Sequence, residues 1–150
     1  MKTDNIKLAI FDIDDTLIKR GKIHIEDSAL KGINKLKEKG IEILIATGRA
    51  YYFIQDDVHH SIKPNYYVTT NGASVYDDNK NIIFKIPMVI EEVQALVTFA
   101  KENQLGVALK MYDNMPVYHD LNIFKTVYMQ GSQKPHILAD FTDKDEVELA

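Results

Sequence analysis

An α/β fold with a parallel sheet is the class this sequence predicts for its first half, and three observations predict it. Short apolar runs alternate with stretches of helical periodicity. The loops between them are short. Each of the first three apolar runs ends in small, polar or acidic residues. Alternation with short connections argues for parallel strands covered by helices, and ligands of such sheets bind at the carboxyl ends of the strands.

The segment Lys7–Ile13 (KLAIFDI) reads as a buried strand that stops in the acidic cluster Asp12, Asp14 and Asp15. Ala29–Lys39 carries Ala29, Leu30, Ile33 and Leu36 at helical spacing, with Asp27 or Ser28 to cap it and Gly40 to end it. Ile41–Ala46 (IEILIA) is a second strand, and Thr47-Gly48-Arg49 a loop. A helix is expected from Ala50 to about His60, with Tyr51, Ile54 and Val58 on one face. Tyr66–Thr70 is the third strand, closed by Asn71-Gly72.

Beyond Asn71 the pattern changes. Ser74–Tyr76 and Ile82–Ile86 flank a polar turn and read as a hairpin. An amphipathic helix is expected over Ile90–Asn103, with Val93, Leu96, Val97 and Ala100 inward and Gly106 as its stop. Glu91 and Glu92 start it and Lys101 ends it, as the helix dipole prefers. Val107–Tyr112 and Val117–His119 suggest a second hairpin, and Asp120–Gln130 a helix capped by Asp120. The acidic segment Asp140–Ala150 is expected to fray. These readings place a domain boundary near residue 72, with an α/β layer over 1–72 and an α+β module over 73–150.

Composition bounds the function. The 150 residues suit one ordinary domain or two small ones, and 45% hydrophobic with 27% charged content is globular. A net charge of -4 makes no electrostatic case for a nucleic-acid or anionic-membrane partner. The absence of cysteine excludes disulfides and thiolate metal sites. Met1–Lys7 lacks the apolar core of a signal peptide, and no apolar run approaches the ~20 residues of a membrane helix. A cytoplasmic protein is expected.

The chemistry sits at the strand ends. Asp12 and Asp14 are two apart, so on a strand they share a face. Two carboxylates at ~4 Å and an effective dielectric of ~20 repel by about 4 kcal/mol. A phosphate dianion would add to that. A hard cation with oxygen ligands, most simply Mg²⁺, would offset both. Asp12 could then attack phosphorus, and Asp14 could protonate the leaving alcohol and later activate water. The same spacing also suits a turn of solvated acids. Thr47-Gly48 offers a hydroxyl and a closely approachable amide to a phosphate, or merely a strand-to-helix turn. Arg49 holds the loop, touches substrate or lies exposed. Asn71-Gly72 is a turn signal, yet the third strand would deliver Asn71 to the edge that holds Asp12 and Thr47.

Taken together, FDIDDTL (11–17) resembles the first motif of the haloacid dehalogenase-like hydrolases, and IATGR (45–49) the second. TTNGASVYD (69–77) is similar to the segment leading into the cap of their Cof-type sugar-phosphatase subfamily, whose cap is of class IIB. The resemblance covers essentially the whole chain. It implies a Rossmann-like parallel core carrying an inserted α+β cap. It also implies Asp12 as nucleophile, Asp14 as general acid/base, and Thr47 and Gly48 as phosphate ligands. Asp12 and the backbone carbonyl of Asp14 would hold Mg²⁺. Apart from the resemblance, Arg49 and Asn71 are candidates to lie near substrate from their places at the strand ends. Where this subfamily more often has glycine, this chain has Asp15. His24, His59 and His60 match no family motif and are expected at the surface.

Two further family motifs are not identifiable: a charge-neutralising lysine and an acidic G-D-x-x-N-D run. The chain holds no Gly-Asp dipeptide, nothing singles out Lys110, Lys125, Lys134 or Lys144, and Asp140, Asp143, Asp145, Glu146 and Glu148 do not make the acidic pattern. The chain is therefore expected to stop inside the cap. Its first strand would then be an exposed apolar edge inviting self-association, and turnover would be weak.

The resemblance implies a Mg²⁺-dependent phosphatase of small phosphorylated metabolites, sugar phosphates among them, working through an aspartyl-phosphate. A phosphomutase of the same fold, or a catalytically incomplete fragment that binds metal or phosphate, are the alternatives. A phospho-acceptor receiver domain would need an aspartate after the third strand, where YYVTTNG has none. For Lys110, Tyr112 and His119, on the second hairpin, substrate contact and ordinary packing both remain open.

Overall fold

The structure is a computed structural model that describes residues 5–129, 135–144 and 147. Contacts divide the chain into two compact units, Met1–Ile86 and Pro87–Ala150.

The first unit is built on one sheet. Its strands, among the described residues, are β1 (Leu8–Phe11), β2 (Glu42–Ala46), β3 (Tyr66–Thr69), β4 (Ser74–Asp77) and β5 (Ile82–Lys85), in spatial order β1-β2-β3-β4-β5. β1, β2 and β3 run parallel, with Phe11 opposite Ile45 and Ala46 opposite Val68. β4 and β5 continue the sheet antiparallel. The expected boundary near residue 72 therefore marks the change of strand direction, while the compact unit itself runs on to Ile86. The reason is the free edge of β3, which the β4–β5 hairpin covers with backbone hydrogen bonds. The hairpin turn is shaped by Asp77, whose Oδ1 accepts the N–H groups of Asn79 and Asn81 at 2.9 and 2.8 Å.

Helix α1 (Asp27–Glu38) turns Ile33 into the core beneath the sheet. Its N-cap is Glu26, without a side-chain capping bond, rather than the expected Asp27 or Ser28. Gly40 ends it with φ 72, a left-handed value that glycine adopts without a Cβ penalty. Ile43, Ile45, Ile54 and Val58 are fully buried, and Ile33 and Ile62 nearly so. Each contributes roughly 1.5–3 kcal/mol of hydrophobic stabilisation.

The helix expected over 50–60 does not form as one element. A 3₁₀ turn at Tyr51–Phe53 breaks at Ile54, and a π-helical turn follows at Val58–Ile62. Two local causes act here. The aromatic run Tyr51-Tyr52-Phe53 has weak helix propensity, and the Phe53 carbonyl accepts Arg49 Nη1 at 3.1 Å. Tyr51 packs on Tyr67, Tyr76 and His59. His59, expected at the surface, is half-buried with Nδ1 2.9 Å from the Tyr67 hydroxyl. His24 and His60 are exposed as expected.

The second unit packs α2 (Ile90–Glu102) on a small sheet of β6 (Val107–Ala108), β7 (Met115–His119) and β8 (Leu138–Asp140). Val97, Ala100, Val107 and Tyr118 form its core, but Leu96 stays 46% exposed. Gln104, not Gly106, takes the left-handed residue after α2, with φ 55. Asp120 caps the next turn, its Oδ1 accepting the Ile123 N–H at 3.1 Å. That turn is a helix of Leu121–Ile123 running into a π-helical turn, Phe124–Tyr128. The segment expected to fray contributes Asp140 to β8, which pairs parallel to β7. Lys134, Asp145, Glu146 and Glu148 lie outside the described residues. Among the described residues, no helix is long and apolar enough to cross a membrane.

Candidate active site

The end of β1 is set by alternating burial. Ile13 is fully buried, whereas Asp12 and Asp14 on either side of it are exposed. Leu17 and Ile18, 1% and 3% exposed, anchor the turn that follows. The amides of Leu17 and Ile18 both donate to the Ile13 carbonyl, at 3.0 Å each. Burying one isoleucine thus presents both carboxylates on the open side. Asp15 takes φ 59. A left-handed position explains why glycine suits this place and why aspartate, which tolerates that region, can replace it. Asp15 Oδ1 also accepts the Arg20 N–H at 2.8 Å.

β2 brings the second group. Since Phe11 pairs with Ile45, the residues just beyond, Asp12 and Ala46-Thr47, leave the sheet at the same end. Thr47 is 6% exposed, and its Oγ1 accepts the Arg49 N–H at 3.2 Å. The hydroxyl shapes the turn and keeps its own proton for donation. β3 is laced to this turn beyond the regular strands. Thr47 N–H donates to Val68 O at 2.9 Å, Thr70 N–H to Arg49 O at 2.9 Å, and Asn71 N–H to Thr47 O at 3.3 Å. Asn71 is exposed at the same edge. A Cβ added at Gly48 would lie only 2.7 Å from Asn71 Oδ1.

Arg49 forms an ion pair with Asp14. Its Nε and Nη2 donate to the two oxygens of Asp14 at 3.0 and 2.7 Å, a bidentate pair. These hydrogen bonds hold the Asp14 carboxyl below the usual carboxylate range, against a smaller upward push from burial. The sequence left Arg49 open among three roles. The structure places it across β1 and β2, clamping one acid and the Phe53 carbonyl.

The structure thus gathers Asp12, Asp14, Thr47, Gly48, Arg49 and Asn71 at one edge of the first unit. Lys110 and Tyr112 are exposed in the second unit, and His119 is half-buried with Nδ1 3.0 Å from Leu105 O. The missed feature is the left-handed pair Thr70 and Asn71, with φ 51 and 55. The Asn-Gly dipeptide carried that signal as a turn, without showing what the turn approaches. As for metal, the donors at the site are hard oxygens of carboxylate and carbonyl. Mg²⁺ commonly takes one or two carboxylates and completes its shell with water and phosphate, so this donor set fits it. Among the described residues, no group of three or more His, Cys, Asp or Glu is placed to hold an ion.

Comparison with known proteins agrees with this geometry. A Streptococcus pyogenes protein described as a bifunctional phosphatase/peptidyl-prolyl cis-trans isomerase is 39% identical over 67% of this chain and 21% of its own length. An HMP-PP phosphatase of Yersinia pestis is 32% identical over 59% of this chain and 32% of its own. A hypothetical protein of Geobacillus kaustophilus superposes with TM-score 0.75 at 28% identity, over 94% of this chain and 55% of its own. A sugar phosphatase of haloacid dehalogenase subclass IIB shares the fold, with TM-score 0.74 at 24% identity over 91% of this chain and 54% of its own. The chain therefore spans between about a fifth and about half of the length of these relatives. The sequence profile of the haloacid dehalogenase-like hydrolase family matches residues 9–150, and the chain belongs to that family.

Proposed function

We propose that this chain carries the nucleophile and the phosphate grip of a phosphatase acting on small phosphorylated metabolites, sugar phosphates among them, in the cytoplasm. The observation that carries the proposal is the convergence of the two exposed carboxylates of Asp12 and Asp14 on the Thr47–Gly48 turn at one sheet end. Asp12 attacks phosphorus, the bond to the leaving alcohol breaks, and an aspartyl-phosphate forms. Asp14 supplies the proton to the departing alkoxide and later takes one from the water that frees phosphate and regenerates Asp12. The Thr47 hydroxyl and the Gly48 backbone bind phosphoryl oxygens. Mg²⁺, held by Asp12 and the Asp14 carbonyl, would offset the accumulated negative charge.

Arg49 holds Asp14 ionised in the clamped arrangement and makes it a weaker proton acceptor until the guanidinium moves away. To act as an acid Asp14 first takes up a proton and releases the guanidinium.

Release of p-nitrophenol from p-nitrophenyl phosphate, with and without MgCl₂, tests the reading. Slow Mg²⁺-dependent turnover that Asp12→Asn abolishes is expected. Turnover indifferent to Asp12→Asn would refute Asp12 as nucleophile. One second reading is a catalytically incomplete phosphate-binding chain, favoured by the clamp of Arg49 on Asp14, which opposes protonation of the acid. Thermal stabilisation by phosphate without hydrolysis would select it. We further propose that copies of the chain associate through the β1 edge, where Leu8 and Ile10 are 38% and 62% exposed and, among the described residues, the strand pairs only with β2.

A further inference from the structure

We propose that Asn71 is a positioning residue for phosphate binding, acting by laying its carboxamide against Gly48. The proposal rests on the phosphate-site reading above, and its first argument concerns why residue 48 is glycine. Gly48 does not occupy the left-handed region, so backbone conformation does not require it there. Space does. The atoms nearest an added Cβ are Asn71 Oδ1 at 2.7 Å, Cγ at 3.6 Å and Nδ2 at 3.8 Å. Those are one carboxamide, with its oxygen turned to Gly48 and its amino group farther off.

The second argument is how the carboxamide gets there. Thr70, Asn71 and Gly72 all have positive φ, at 51, 55 and 96. For threonine, a β-branched residue, that region is strongly disfavoured. The strain is held by two backbone hydrogen bonds onto the residue 47–49 turn, from Thr70 N–H to Arg49 O at 2.9 Å and from Asn71 N–H to Thr47 O at 3.3 Å. Strain of this kind persists where surrounding structure over-determines it, often at ligand clamps.

The third argument is residue type. Glycine, asparagine and aspartate all tolerate a left-handed position. Glycine would leave the space beside Gly48 empty. Aspartate would set a third carboxylate beside Asp12 and Asp14 at a site meant for an anion. Asparagine alone fills the space with a neutral group that both accepts and donates.

Asn71→Gly separates this role from a plain turn, because glycine accepts the same backbone angles. Inorganic phosphate in MgCl₂ is titrated by calorimetry, and thermal unfolding is followed in parallel. For Asn71→Gly the expected result is an unchanged or raised Tm with phosphate affinity weakened roughly tenfold, the scale of one hydrogen bond near a charged ligand. Asn71→Asp is expected to weaken phosphate at least as much. Gly48→Ala is expected to lower Tm in the parent, and to lower it less once Asn71→Gly has cleared the space. This coupling needs no phosphate. Parent-like phosphate affinity in Asn71→Gly overturns the proposal, as does a Gly48→Ala loss equal in both backgrounds. A parent chain that binds no phosphate would refute the site reading instead, while the thermal coupling would still decide whether Asn71 and Gly48 act together.

Discussion

Replacing Arg49 with methionine removes the guanidinium and keeps much of the aliphatic stem. Two losses follow from the geometry. One is the bond from Nη1 to the Phe53 carbonyl, worth about 1 kcal/mol. The other is the bidentate pair with Asp14, whose contacts of 2.7 and 3.0 Å would suggest a strong interaction. The side chains are, however, 33% exposed at Arg49 and 57% at Asp14, so water screens the pair. An exposed ion pair contributes roughly 0.2–1 kcal/mol, and the bidentate geometry places this one near the top of that range. Arg49→Met should thus cost about 1.5–2 kcal/mol in all. The Asp14–Arg49 coupling within it should be close to 1 kcal/mol. Urea unfolding of the parent, Arg49→Met, Asp14→Asn and the double variant isolates that coupling.

The pH dependence has a definite sign. The Asp14 pKa is lowered in the folded state from 3.8, so the unfolded chain binds the proton more tightly. The stabilisation is fully present above about 3.8 and is lost as pH falls through the depressed folded value. The coupling should therefore be present at about pH 7 and weaken as pH falls below about 3.8 toward the depressed folded value. No coupling at neutral pH, or one undiminished at low pH, would refute the reasoning.

Asp57 should behave alike for a different reason. It accepts the Ile25 N–H at 2.9 Å and the Ser61 hydroxyl at 2.7 Å, and the Ile25 bond contributes most to lowering its pKa. Asp57→Ala is expected to cost roughly 1–2 kcal/mol at neutral pH. Thermal scans should show the gap from the parent closing as pH falls below about 3.8, and a constant gap would count against it. Ile10→Lys, at a site 62% exposed on the β1 edge, should reduce self-association in light scattering with little change in Tm. A mass distribution identical to the parent's would discard that edge as the interface.

The alternation of apolar runs and helical stretches in the first half was enough to predict parallel pairing and the shared end for Asp12, Thr47 and Asn71. Hydrophobic period and parallel connection rules act locally along the chain, so they can be read from it. The same periodicity placed Ile54 and Val58 inward correctly, although the backbone carrying them is not a regular helix. What failed there was the hydrogen-bond pattern. The rings of Tyr67 and Tyr76 engage that segment from β3 and β4, and no window confined to the segment contains them.

By itself the sequence determined which residues are candidates for the chemistry, because carboxylates, a hydroxyl and a glycine at strand ends keep their character in any packing. Only the tertiary structure decided who touches whom. The clamp of Arg49 on Asp14 spans 35 residues, and the approach of Asn71 to Gly48 depends on how β3 leaves the sheet. The extent of the first unit likewise depended on β4 turning straight back onto the open edge of β3, an antiparallel pairing from Thr69↔Ser74 to Tyr66↔Asp77 that apolar periodicity does not encode.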